Sequence, residues 1–186
     1  MPSKYQEHVA KWKDCTRCLL HHKRNRVVLA RGILPCDILF IGEAPGESED
    51  VVGVPFVGPA GKLLDQIIQN SVPKEFRWAM TNVIACIPRE EDGSKAAEPP
   101  EEAAMRCAPR LREMVNMANP GLIVCVGTWA KAAAKDRSGW LLASFCQIVE
   151  IVHPAAILRA NVAQRGLMVQ RCKVIIAKAC DQLPPF

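Results

Sequence analysis

DILFIGEAPGESEDVVGVPFVGPAGKLLD, residues 37–65, decides how the rest of the chain is read. Ile38 to Ile41 is an unbroken apolar run between Asp37 and Gly42, the pattern of a parallel strand buried on both faces. Gly42, Pro45, Gly46, Gly53, Pro55 and Gly58 then punctuate a loop. A helical pattern resumes at Pro59, a residue suited to a first helical turn. Open α/β sheets bind ligands at the carboxyl ends of their strands, so Glu43, Glu47, Glu49, Asp50 and Phe56 stand where chemistry is normally placed.

Outward from this stretch, apolar runs at 81–87, 122–126 and 147–152 predict three more strands. Helical patterns alternate with them at 4–14, 59–70, from Pro100 to just before Asn119, at 128–135 and at 162–179. Leu167, Val169, Val174 and Ile175 are expected to face inward from the last of these. The alternation predicts an α/β fold, a three-layer α/β/α sandwich around a four-stranded, mostly parallel sheet. One domain over 1–186 is expected, with an N-terminal arm of about residues 1–30. The charged, proline-rich REEDGSKAAEPPEE after Pro88 reads as a surface loop and the DQLPPF tail as loosely ordered.

An apolar content of 49% is ample for a core, and no run approaches the roughly 18 apolar residues of a membrane helix. With no apolar signal-peptide core at the start, a cytoplasmic monomer with no membrane partner is expected. Nine cysteines in such a chain point to thiols, some holding a metal or cluster, rather than to disulfides. The net charge of +5 permits nucleic-acid binding without demanding it. His21, His22, Lys23, Arg24 and Arg26 read either as a solvated face or as a phosphate-contacting run.

GEAPGESED and GVPFVGPAGKLLD, with TNVIACIP at 81–88 and IVHPAAILR at 151–159, closely resemble the motifs of the family-4, iron–sulfur uracil-DNA glycosylases. The resemblance covers most of the chain from Cys15 onward. It implies the uracil-DNA glycosylase fold and hydrolysis of the N-glycosidic bond of deoxyuridine in DNA, the opening step of base-excision repair. Uracil-containing DNA is the implied partner, beside a replication or repair protein. It also implies a structural [4Fe-4S] cluster on Cys15 and Cys18 of a CxxC pair, Cys86 after the TNV motif, and Cys107 on the next helix. The residues alone leave zinc at the same four thiolates, or four buried thiols, as alternatives. Cys36, Cys125, Cys146, Cys172 and Cys180 read as small core residues.

Roles follow from the same resemblance. Asn82 is the amide that reads the uracil edge, and Phe56 the ring on which the base stacks, core packing being its alternative. His153 donates to uracil O2, and Glu43 orients water or stabilises the cationic sugar. Gly42 and Ala44 keep backbone close to the ligand, while Glu49 shapes the pocket and Glu47 and Asp50 are solvated or cap the loop. Ile157 is the implied wedge into the space left by the flipped nucleotide, unless AAIL is the first turn of a packed helix, and Arg159 the phosphate contact.

The chain departs from the family at Ala85-Cys86-Ile87-Pro88, where basic residues often flank the cysteine, and at Ala155, where serine often follows HP. It lacks the KRRIH-like insertion of the variant that bonds covalently to uracil-containing DNA. A non-excising DNA- or protein-binding module, or an enzyme for a modified base, therefore stands as the second reading. Another kind of nucleotide-binding α/β protein is disfavoured, because neither GxGxxG nor GKS/T follows a strand.

Overall fold

Five strands, β1 (Ala30–Gly32), β2 (Ile38–Gly42), β3 (Trp78–Asn82), β4 (Leu122–Val126) and β5 (Gln147–Ile151), stand in a computed structural model that describes residues 1–90, 92–94, 98–135 and 146–183, and the aliphatic runs of β2 and β4 are its centre. They form one sheet in the order β1-β3-β2-β4-β5. β3, β2, β4 and β5 run parallel, and β1 joins the edge antiparallel to β3. The sheet is therefore five-stranded and mixed where four strands were expected. Ala30-Arg31-Gly32 offers no apolar run to read, and its place is fixed by backbone pairing to Ala79–Thr81.

Seven helices are described: α1 (Lys4–Trp12), α2 (Glu47–Val52), α3 (Pro59–Gln69), α4 (Glu101–Ala118), α5 (Thr128–Lys135), α6 (Pro154–Arg159) and α7 (Val162–Cys180). Ile38 and Phe40 of β2 pack towards α3, α6 and α7, while Leu39 and Ile41 pack towards α4 and α5. All four are wholly buried, each contributing roughly 1.5–3 kcal/mol through its lost apolar surface. α1 lies on α4, held by Trp12 Nε1, which donates to Glu113 Oε2 at 2.7 Å.

Three readings shift. β3 begins at Trp78 and stops at Asn82, so 83–87 is buried but is not strand; Val28 N–H donates instead to Ala85 O at 2.7 Å. The loop after β2 contains α2, whose polar ESEDVV hides a turn built on Glu49 reaching back to Gly46 and ended at Gly53 with φ 83°. α7 faces inward with Cys172, Ile176, Ala179 and Cys180, whereas Leu167 and Val174 are exposed and Val169 and Ile175 lie at the margin. Apolar residues surround that helix, so their spacing selects no face. Tail residues 184–186 and loop residues 91 and 95–97 fall outside the described residues. No described helix is long and apolar enough to cross a membrane.

Candidate active site

The chain turns from β3 on one side of β2 to β4 on the other, so the carboxyl end of β2 is the switch point of the sheet, the place where such sheets bind ligands. Gly42 ends β2 directly opposite Asn82, which ends β3. A Cβ on Gly42 would sit 2.4 Å from Asn82 Oδ1 and 2.4 Å from Phe56 Cζ, so an amide and an aromatic edge meet over a position only glycine leaves open. Phe56 is 6% exposed and holds a left-handed backbone, φ 57°, of the strained kind that collects at ligand sites. Glu43 follows Gly42, half-buried, with its carbonyl accepting from Ile84 N–H at 2.9 Å. Ala44, also half-buried, packs towards the α4 side of the core.

Two acids brace this loop from behind. Glu49 accepts from Gly46 N–H at 3.1 Å and Gly58 N–H at 2.8 Å, spanning the loop's two ends. Asp50 is wholly buried rather than solvated, and it caps the loop at Asn25 and Arg26 while anchoring other segments. It accepts from Asn25 N–H at 2.9 Å, Asn25 Nδ2 at 2.7 Å and Arg89 Nη2 at 3.3 Å. Arg89 also pairs with the exposed Glu47 at 2.6 Å. The segments following Cys18 and Cys86 thus converge on α2.

His153 caps α6 at the end of β5, packed against Gly127, whose added Cβ would lie 3.1 Å from His153 Cβ. Ala155 N–H donates to His153 Nδ1 at 3.1 Å, which leaves the ring proton of a neutral imidazole on Nε2. Ile157, the implied wedge, is 1% exposed and packs into the core on the α3 and α7 side. AAIL is thus the turn of a packed helix in this conformation, and no wedge projects from Ile157. Arg159 stands exposed in the last turn of α6.

Cys15, Cys18, Cys86 and Cys107 line one pocket, and every charged side chain lining it is an arginine: Arg17, Arg24, Arg106 and Arg110. Arg110 is 1% exposed. Its Nη1 donates to Thr81 Oγ1 at 2.9 Å, and its Nη2 donates to the carbonyls of Asn82 at 2.5 Å and Val83 at 2.7 Å. Those acceptors are neutral, and Nε is buried without a partner. Burial pushes the guanidinium's pKa down, opposed by Cys107, Cys86 and Cys15. A buried cation costs several kcal/mol unless an anion faces it, so this donor set fits a thiolate-held, net-negative metal group.

Arg110, α2 and the burial of Asp50 escaped the sequence reading. Arg110 carried one legible signal: it follows Cys107 by three residues and precedes Leu111, which sets a cation on the inward face of an amphipathic helix.

Residues 31–173 match the model of the Uracil DNA glycosylase superfamily. A type-4 uracil-DNA glycosylase of Thermotoga maritima is 32% identical over 182 residues, covering 89% of this chain and 91% of its own. One from Archaeoglobus fulgidus is 30% identical, over 78% of each chain. The fold is similar to that of Pedobacter heparinus SMUG2, with a TM-score of 0.57 and 14% identity over 74% of this chain and 73% of that one. Fold and matched region together define a member of the uracil-DNA glycosylase superfamily. Within it, the chain belongs to the type-4 uracil-DNA glycosylases, a family of DNA N-glycosylases.

Proposed function

We propose that this chain is a monofunctional uracil-DNA glycosylase of base-excision repair, acting as a cytoplasmic monomer on uracil-containing DNA. The observation that carries the reading is the meeting of Asn82 and Phe56 over Gly42 at the carboxyl edge of the sheet. Excision of a base requires the nucleotide to leave the stack and its edge to be read in a pocket. Asn82 accepts from uracil N3–H through Oδ1 and donates to O4 through Nδ2. Cytosine presents the opposite pattern, so its entry leaves both groups of the amide unsatisfied. Phe56 supplies the stacking surface.

Cleavage places positive charge on the sugar and negative charge on the departing base, and each needs a fixed opposite charge or dipole. Nε2–H of His153, set by the Ala155 bond to Nδ1, is the donor for uracil O2. Glu43 orients the water that attacks C1′ and stabilises the cationic sugar. No lysine stands at a position assigned to catalysis, so no Schiff base forms and the strand is left intact. Arg159 takes a phosphate and fixes the strand's register.

Cys15, Cys18, Cys86 and Cys107 hold a [4Fe-4S] cluster, which when bound supplies a structural clip joining the arm, the segment after β3 and α4. Support for a metal group here is the convergence of these four cysteines, from three separate segments, on one pocket whose charged lining is all arginine. Zinc at the same thiolates is the alternative.

The test is incubation of anaerobically purified protein with an oligonucleotide holding one uracil, followed by alkali. Scission after alkali by the wild type, lost in Glu43→Ala while DNA binding persists, supports the assignment. Equal binding with no scission by either protein would replace it with a non-excising DNA-binding module.

A further inference from the structure

We propose that Arg110 is a positioning residue with two ends: its charge balances the metal group at the four cysteines, and its fork fixes the backbone that carries Asn82. The second half rests on the functional reading above; the first does not.

The Asn82–Val83 peptide is held from two sides. Val83 N–H donates to Gly42 O at 2.8 Å, and one nitrogen of Arg110 takes the carbonyls of both residues, at 2.5 and 2.7 Å. Two consecutive carbonyls can converge on one donor only for a narrow range of backbone angles between them. The direction in which Asn82 leaves the end of β3 is therefore set by Arg110. Its other terminal nitrogen binds Thr81 Oγ1, whose own hydrogen goes to Leu29 O at 2.6 Å. The fork so joins the end of β3 to the arm. A lysine, with one nitrogen on a flexible stem, cannot span these three acceptors as a rigid planar fork does.

The charge has no carboxylate partner among the described ion pairs, and the buried side chain lines the same pocket as Cys15, Cys18, Cys86 and Cys107. A net-negative metal group held by those cysteines would face the guanidinium. Metal retention and the placement of Asn82 are therefore linked through one side chain, three residues from one ligand and bonded to the residue that reads the base.

Arg110→Met and Arg110→Lys separate the two ends. Three quantities are measured on anaerobically reconstituted protein: the cluster's midpoint potential, the rate at which a chelator strips the metal, and kcat and KM on a uracil oligonucleotide. Arg110→Met is expected to lower the potential, since a lost positive charge disfavours the more negative reduced cluster, and to speed metal loss. Arg110→Lys, which keeps the charge, is expected to keep the potential near wild type. Its kcat nevertheless falls on the order of ten- to a hundred-fold with KM little changed, because the reading amide is misplaced. An unmoved potential and stripping rate in Arg110→Met would overturn the charge role. Should that variant not fold, Arg110→Lys with wild-type kcat overturns the positioning role by itself. Wild-type protein without excision would sink the functional reading alone, since potential and stripping rate still decide the role of the charge.

Discussion

Gly42 and Asn82 face each other across the β2–β3 ladder, and a methyl group added at Gly42 would lie 2.4 Å from Asn82 Oδ1. The same carbon would lie 2.4 Å from the Phe56 ring, so the depth of the candidate pocket is fixed by the absence of one side chain. Gly42→Ala must displace the amide, the ring or both. Both groups are nearly buried, Asn82 at 3% and Phe56 at 6% exposed, so displacing them costs stability as well. The expected result is a fall in kcat/KM for uracil excision of about ten-fold or more, about 1.4 kcal/mol, with a lowered melting temperature. Steady-state kinetics beside thermal unfolding would show it, and an unimpaired Gly42→Ala would mean that the base is read elsewhere.

Asp50 is wholly buried and tied to Asn25 and Arg89. Asp50→Ala leaves the Asn25 donors unpaired while Arg89 keeps its pair with Glu47, and stranding buried donors costs about 1–3 kcal/mol. Denaturant unfolding should record a loss of that size. The metal should also be stripped faster, because the segments after Cys18 and Cys86 are both moored to this carboxylate. A loss under about 1 kcal/mol would show that water replaces the contacts.

Burial pushes the Cys36 and Cys125 thiols up to about 12, so both are protonated at neutral pH. Only thiolates react readily with alkylating agents. Iodoacetamide at about pH 8, followed by peptide mass mapping, should leave both unmodified in folded protein and label both after denaturation. Rapid labelling of either in the native state would contradict the buried placement.

Glu113 ties α4 to α1. Burial works to raise its pKa, but hydrogen bonds from Lys11 and Trp12 outweigh it and hold the carboxyl below its ordinary value. A folded-state pKa that is depressed stabilises the protein above the unfolded value, and that contribution is lost as pH falls through the folded one. Glu113→Gln should therefore melt below wild type at about pH 7, and the gap should close towards about pH 3, below the ordinary carboxylate range. Melting curves at the two pH values check the sign. A gap that widens in acid would contradict it.

What could be read from the residues was the part written in long apolar runs. β2, β4 and α4 each have an unbroken or strongly periodic pattern between clear stops, and each lies within a residue or so of its expected bounds. Tertiary contacts decide the rest. β1 exists because its backbone pairs with β3, not because its side chains prefer a strand. α2 is a polar turn whose caps are a glycine and a carboxylate at the loop's other end. The motif glycine, amide and ring converge around Gly42, yet nothing local said that Ile157 would turn inward. Arg110 and Asp50 remained hidden for a common reason: a charged residue is ordinarily read as solvated, and only the fold shows which partners let one be buried.

Uracil excision is decided by detecting free uracil, by mass spectrometry, released from a uracil-containing oligonucleotide by iron-loaded wild-type protein. Uracil released in step with abasic sites, from a strand that stays whole until alkali is added, is the predicted result. An iron-loaded protein that binds the oligonucleotide and releases no uracil would contradict the account.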